Sequence, residues 1–359
     1  MKTQLIIMAI LLPSILLGQI DPTSGVQKVI DKSIDNKTIF GVSLSVSKEG
    51  EIQSYASGNS SVGDSYFIAS VTKLYTAAVI YKLVDQGEIN LDDPISKYLD
   101  RTILDGLHVY EGKDYSQAIT IRHLITNSSG IPDYFMQKDK GEKNLFEHLT
   151  TVGDTLFSFE QMLARAKSLT AKFVPGSEGE AFYSDTNFQL LGRIITNVTG
   201  MDLDEVYRTF LFEPLNLKQT YLYTDTAETS PAYFYYKQNI MDIPDMMVSF
   251  GPDGGMVSTS EESLVFLQAY LNHELFSKAT ISLDTDWKKI DSPFQYGNGI
   301  MKFSFIGLPD MIGHSGANGS FAYYIPSEDI YLTGTINQTD KPQLTYKMIG
   351  KILRALKSQ

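Results

Sequence analysis

The sequence predicts a mixed α/β fold: an antiparallel sheet built from both chain ends, flanked by helices, with a mostly helical segment inserted between them. Three observations predict it. Period-two alternation appears early, in Gly41-Val42-Ser43-Leu44-Ser45-Val46-Ser47. Strand-like runs return only near the end, over 299–305, 320–325 and 330–336. Between them the apolar spacing is largely helical, so the early and late strands must meet across an insertion.

Taken in order, the chain starts with Lys2, an apolar run from Leu5 to Leu17 broken by Pro13 and Ser14, and then Gly18-Gln19. That order is a secretory signal over residues 1–19. The run is shorter than the roughly 20 residues that a membrane span needs, and no Cys follows Gly18 to carry a lipid. The mature chain is therefore expected to be exported, periplasmic or secreted, with no stable membrane anchor after cleavage. Val26, Ile30 and Ile34 recur at helical spacing. Residues 41–47 read as a half-buried strand, Glu49-Gly50 as a turn, and Ile52 to Ala56 as its partner strand. Leu74, Ala77, Ala78, Tyr81 and Val84 mark a helix over 70–86 that Gly87 closes. Helices are clearest at 119–126, 158–167 and 187–198, the last ended by Gly200. Ser258 to Glu262 resembles a capped helix start, and Leu344, Met348, Ile352 and Leu356 form one stripe of a final helix. The division that follows is a split α/β domain of 20–105 with 237–359, and a helical insertion domain of 106–236.

Composition narrows the chemistry. Thirty basic against 42 acidic residues leave a formal charge of −12, which opposes binding to a phosphate backbone, so no nucleic-acid partner is expected. The chain has no Cys, which excludes disulfides, thiolate metal sites and a Cys nucleophile. Its five His are scattered singly, without a metal-ligand spacing. Neither a metal nor an organic cofactor is expected. The expected partner is a small-molecule or peptide substrate, and oligomeric state is left open.

The pattern S-x-x-K occurs twice, at Ser45…Lys48 and Ser70…Lys73. On a strand, residues three apart face opposite sides, so Ser45 and Lys48 cannot meet. At a helix start they share a face, so Lys73 can reach the Ser70 hydroxyl, while free N–H groups there favour a developing oxyanion. Tyr183-Ser184-Asp185-Thr186-Asn187 precedes a helix, and a Tyr there can serve as a proton relay. His314-Ser315-Gly316 lies between Gly313 and Ala317-Asn318-Gly319, where glycine permits close backbone approach and a following edge strand can offer a backbone N–H. Each motif also has a plain structural reading, as a helix cap, a buried Tyr and a packed His respectively.

Together and in this order, the three motifs resemble the serine β-lactamase and penicillin-binding-protein superfamily. The branch is that of class C β-lactamases, D-alanyl-D-alanine carboxypeptidases and related esterases, with S-x-x-K, Y-x-N and K/H-x-G. The likeness extends to Phe67-Ile68-Ala69-Ser70-Val71-Thr72-Lys73, to Ile121-Arg122-His123-Leu124-Ile125-Thr126-Asn127-Ser128-Ser129-Gly130-Ile131-Pro132, and to Pro175-Gly176. It implies a β-lactamase/transpeptidase-like fold and a covalent acyl-enzyme formed on an amide or ester: a β-lactam, a D-peptide or a carboxylic ester. Ser70 would be the nucleophile. Lys73, its pKa lowered by burial or nearby positive charge, would take the proton or pass it to Tyr183. Backbone N–H groups of Ser70 and Ala317 would hold the oxyanion. His314, in its motif with Ser315 and Gly316, would hold the relay or meet a substrate carboxylate. Asp185 stands where the family usually has Asn, so it either opposes a substrate carbonyl or is bonded within its own turn. A second register makes Ser184 the relay. Asn127 departs from a His common before Ser-Ser-Gly. A non-hydrolytic penicillin-binding or sensor module is the alternative function.

Overall fold

The computed structural model describes residues 24–278 and 286–357; the expected signal segment lies outside the described residues. The frame is one eight-stranded antiparallel sheet. Its strands are β1 (Gly41–Lys48), β2 (Glu51–Gly58), β3 (Lys288–Asp291), β4 (Phe294–Gly297), β5 (Ile300–Phe303), β6 (Met311–Ser315), β7 (Ser320–Ile325) and β8 (Ile330–Thr335). Their spatial order is β3-β4-β5-β6-β7-β8-β1-β2. The closing pair β1/β8 unites the two chain ends, with Ser45 opposite Thr333. The fold is therefore α/β with an antiparallel sheet drawn from both ends of the chain.

Helices cover both faces. Gly25–Asp31 (α1) and Gln343–Lys357 (α6) pack on one face, Thr72–Asp85 (α2) and Ser260–Leu271 (α5) on the other, while Phe159–Ser168 (α3) and Asp185–Thr199 (α4) belong to the intervening segment. Val42, Leu44 and Val46 of β1 join the apolar cluster formed with α1 and α6. The alternate residues are not in water, as a half-buried strand would have them. Ser45 donates to Ser260 of α5 at 2.8 Å, and Gln268 of α5 donates to Ser47 at 3.2 Å. The polar face of β1 is thus buried against a second helical layer, where hydroxyl pairing satisfies it. Lys48, meanwhile, bonds the Leu356 carbonyl at 3.1 Å, far from the Ser45 hydroxyl.

Helix α2 departs from an amphipathic pattern. It is buried from Thr72 to Tyr81 on every side, including Lys73 and Thr76, as a helix at the centre of a core must be. Thr76 donates to the Pro252 carbonyl at 2.6 Å, which satisfies its hydroxyl inside that core. A small sheet of Tyr66–Phe67, Met256–Ser258 and Tyr221–Leu222 lies alongside the start of α2. Helices make up most of the regular structure of 106–236, which also supplies short strands at Val109–Tyr110, Lys113–Asp114, Tyr221–Leu222 and Phe234–Tyr236 and has long connections between them. Leu190, Leu191 and Ile194 of α4 share one apolar cluster with α2 and with Tyr296 and Ile300 of the large sheet.

The His314-Ser315-Gly316 motif does not adjoin an edge strand. Its first two residues end β6, which lies between β5 and β7 in the sheet interior. Among the described residues, no helix is long and apolar enough to cross a membrane.

Candidate active site

Ser70 sits in a single 3₁₀ turn, Ala69–Val71, that leads into α2. Ala69, just before it, has φ +44°, a left-handed conformation that is costly for a residue with a Cβ. Packing enforces the turn. Ser320 donates to the Ile68 carbonyl at 2.7 Å, and Asn318 donates to the Phe67 carbonyl at 2.5 Å. A Cβ on Gly316 would come within 2.8 Å of the Ile68 carbonyl oxygen and 2.9 Å of the Ala69 Cβ. Glycine is what lets the end of β6 close against the serine turn.

Lys73 lies one turn on, fully buried. Its Nζ has three oxygen neighbours: Ser70 Oγ at 3.2 Å, Asp185 Oδ1 at 2.6 Å and the Asp253 carbonyl at 2.6 Å. An ammonium has three donors, so this surrounding suits the protonated amine. Burial by itself pulls the Lys73 pKa down, but the Asp185 and Asp253 carboxyls outweigh it and the net shift is upward. The sequence-based expectation of a lowered Lys73 pKa is therefore reversed, because the expected effect of burial meets a carboxylate in contact. Asp185 takes neither place proposed for it. It faces Lys73, not a substrate carbonyl, and it is not spent within its own turn.

Two more carboxyls, neither singled out by sequence reasoning, close in behind this pair. Asp133 Oδ1 accepts from the Asp185 N–H at 2.9 Å. Asp253 Oδ2 accepts from the Tyr134 hydroxyl at 2.8 Å and from Gln189 Nε2 at 2.9 Å. Burial, and then the charge of Asp185, push the Asp133 carboxyl up to about 7. The same causes push Asp253 well above the ordinary carboxylate range. One buried lysine cannot balance three buried carboxylates, so protons must be held here. Gly192 of α4 permits the close packing, since a Cβ there would come within 2.5 Å of Pro252 Cγ. No motif spacing announces Asp133 or Asp253, which lie 120 residues apart and meet only through tertiary packing.

Tyr183 directly precedes α4, whose N-cap is Ser184. Asn127, itself at φ +56°, fixes this approach: its Oδ1 accepts from the Ser184 N–H at 3.1 Å and from Asn187 Nδ2 at 2.8 Å, and its carbonyl accepts from Phe182 N at 2.8 Å. The departure at Asn127 thus has a structural account, since an amide can accept from α4 while tolerating the left-handed backbone. Tyr183 lines the same cavity as Ser70, and burial raises its pKa well above that of free tyrosine. Lys73 Nζ is 5.2 Å from the centre of its ring. The Ser184 hydroxyl instead donates to the Pro132 carbonyl at 3.2 Å, so it is Tyr183, not Ser184, that the fold brings to Ser70.

His314 is buried behind Tyr183, the ring centroids 6.0 Å apart. Its Nδ1 lies 2.9 Å from the Ser315 carbonyl, which assigns the proton to Nδ1. Nε2 is then left as an acceptor facing the Tyr296 hydroxyl at 3.5 Å. Burial, and then Lys73, depress its pKa to about 3. A neutral imidazole held there is placed to brace the tyrosines and not to pair with a carboxylate. The sign for stability follows. Between about pH 6.5 and about pH 3 the unfolded chain binds a proton at His314 that the folded chain refuses, so folding stability falls as pH falls through that window. Relative to His314→Gln, which cannot titrate, the native protein is expected to lose about 1.4 kcal/mol per pH unit across it. Urea titrations of both proteins at pH 4 and 6 check this; parallel curves would refute it.

Ser70, Tyr183, Ser315, Gly316 and Ala317 line one cavity of about 860 Å³, whereas Lys73, Asp185 and His314 lie behind its wall. Ser70 is in the first turn of its helix, where N–H groups lack intrahelical partners, and the Ala317 N–H has no partner among the described residues. The arrangement offers a nucleophile, a buried proton store and two donors at one cavity floor.

The Beta-lactamase family model matches residues 26–357. Protein flp of Staphylococcus aureus (strain N315) is 26% identical over 269 residues, covering 70% of this chain and 49% of that protein. The chain thus spans about half the length of that relative. A putative D-alanyl-D-alanine carboxypeptidase of Escherichia coli O157:H7 is 24% identical over 360 residues, covering 89% of this chain and 79% of that one. Among solved structures, a D-amino acid amidase from Ochrobactrum anthropi SV3 superimposes with a TM-score of 0.75 at 22% identity, covering 92% of this chain and 99% of that one.

Proposed function

Since the chain belongs to the beta-lactamase family, we propose that it hydrolyses an amide or ester through an acyl-enzyme on Ser70. The observation that carries this reading is Lys73 Nζ at 3.2 Å from Ser70 Oγ, at the floor of an open cavity. The hydroxyl proton passes to Lys73 as Lys73 passes one of its own to Asp185. The Oγ–C bond forms, and the carbonyl electron pair moves to an oxygen held by the Ser70 and Ala317 N–H groups. Collapse breaks the bond to the leaving amine or alkoxide, which takes the Tyr183 proton; Tyr183 recovers it from Lys73, and Lys73 from Asp185. Water then gives a proton to the relay as its oxygen bonds the acyl carbon, the Oγ–C bond breaks, Ser70 Oγ takes the proton back, and the carboxylic acid leaves. Each proton taken is returned, so no cofactor is consumed. His314 and Ser315 hold Tyr183 and the cavity floor in place.

Substrates with a D-configured amide come first, because two similar proteins are named as a D-alanyl-D-alanine carboxypeptidase and a D-amino acid amidase. Steady-state turnover of a D-Ala-D-Ala peptide, a D-amino acid amide, p-nitrophenyl acetate and a cephalosporin tests the reading, with catalytic release expected for at least one. Stable labelling by a penicillin without turnover of any would favour the non-hydrolytic alternative. Export is part of the same proposal, supported by the apolar run from Leu5 to Leu17. N-terminal sequencing of protein recovered from its host is expected to begin between Gln19 and Asp21, and a retained Met1 would contradict it.

A further inference from the structure

The cavity that reaches Ser70 is much larger than a short acyl group needs, and its walls are apolar far beyond the catalytic residues. Phe294, Met301, Phe303, Phe305 and Ile306, from β4, β5 and the turn that follows, line one side. Tyr346 of α6 lines it too, stacked on Phe303 at 4.3 Å, and its hydroxyl donates to Ser315 Oγ at 2.9 Å. One continuous apolar wall therefore runs from the catalytic motif outward. At its outer end Ile306 is 95% exposed and its neighbour Phe305 57%, so two large apolar side chains stand in water at the mouth. Scattered exposed apolar residues need no explanation, but adjacent ones continuing a cavity wall mark a binding surface.

The charge on the rim is specific too. Lys347, Lys351 and Arg354 line the same cavity from successive turns of α6, against a single acidic lining residue among the described residues, Asp291. Lys347 and Lys351 make no ion pair with a described residue. In a chain of net charge −12, a basic row beside an apolar groove complements a ligand that is apolar and anionic.

We infer that this groove holds the apolar chain of an amphiphilic acyl substrate, with the anionic end of that substrate against Lys347 and Lys351. The inference rests on the proposed hydrolysis for what happens at Ser70, but binding in the groove does not require turnover, so the two are tested apart. Hexanoate, dodecanoate and dodecyltrimethylammonium, each below its aggregation threshold, are titrated calorimetrically into the full-length protein. Dodecanoate is expected to bind saturably and at least about tenfold more tightly than hexanoate, since each fully buried methylene contributes about fourfold, or about 0.8 kcal/mol. Phe305→Ser with Ile306→Ser is expected to shrink that chain-length ratio; both residues are exposed, so the fold is not at risk. Lys347→Glu with Lys351→Glu is expected to weaken dodecanoate at least about threefold, most at low ionic strength, and to favour the cationic amphiphile. Equal binding of hexanoate and dodecanoate, or a ratio untouched by the Phe305 and Ile306 changes, would overturn the groove. Cationic and anionic amphiphiles binding alike in both proteins would overturn the assignment of Lys347 and Lys351. Saturable dodecanoate binding by a wild type that turns over none of the four substrates counts against the hydrolase reading alone.

Discussion

Ser70→Ala is expected to lower kcat/KM by at least about 10⁴-fold while leaving the protein folded. The loss is large because no neighbouring group can replace an oxygen nucleophile at that position. Lys73 is held by Asp185 and Asp253, and the half-buried Tyr183 holds its proton more tightly than free tyrosine does. The fold survives because Ser70 supplies only the longest of the three oxygen contacts to Lys73, and because it borders a cavity whose water can take its place. Ser45→Ala is the matched control. It matches the same four-residue pattern, yet its hydroxyl is committed to Ser54 and Ser260, so activity is expected to be unaffected. Turnover assays and thermal melts of the three proteins check this; appreciable activity in a well-folded Ser70→Ala protein would refute it.

The second large effect concerns Lys73 and its carboxyls. Lys73→Met keeps the volume but removes the cation that faces Asp185 and Asp253. Stripping one partner from a buried ion pair costs about 3–5 kcal/mol, because the remaining charge has lost its compensation. Activity is expected to disappear as well. Adding Asp185→Asn to Lys73→Met removes the orphaned charge, so the double variant is expected to regain much of the stability and none of the activity. Asp185→Asn alone separates proton transfer from packing. Without that carboxylate Lys73 loses the largest contribution that raises its pKa, and the lowering effect of burial is opposed mainly by Asp253. The amine then has to lose a proton before it can accept one from Ser70. The acid limb of the rate profile is expected to move to higher pH, with kcat/KM at pH 7 down by about tenfold or more and part of it recovered in more alkaline buffer. A profile superimposable on the wild type would show that Asp185 is not the end of the relay. Stability of Lys73→Met unchanged from wild type would show that the pair is not a buried one.

Much of this was legible before any coordinates, and the parts that were not have physical reasons. The strands of the large sheet near the chain ends are visible because alternation and turn residues are local signals, and Ser70 stands apart from Ser45 because helix and strand present i and i+3 differently. Burial of the polar face of β1 was not legible, since Ser43, Ser45 and Ser47 look solvent-facing until α5 supplies Ser260 and Gln268. The direction of the Lys73 shift was missed for a related reason. Burial is suggested by an apolar helix, but the partner that reverses its effect comes from α4, more than 100 residues away. Asp133 and Asp253 carry no motif at all. The central placement of β6 was hidden because β3 and β4 are short and weakly patterned, so the end of the sheet could not be located from sequence.

Hydrolysis by this route passes through one covalent bond, between Ser70 Oγ and the acyl carbon. Rapid quenching of the protein with a turned-over ester or D-peptide, followed by intact mass and peptide mapping, tests it most directly. The expected result is a transient gain equal to the acyl group, located on the peptide containing Ser70, rising before product release and absent from Ser70→Ala. An acyl group found on another residue, or turnover by the wild type with no acyl intermediate and none lost in Ser70→Ala, would contradict it.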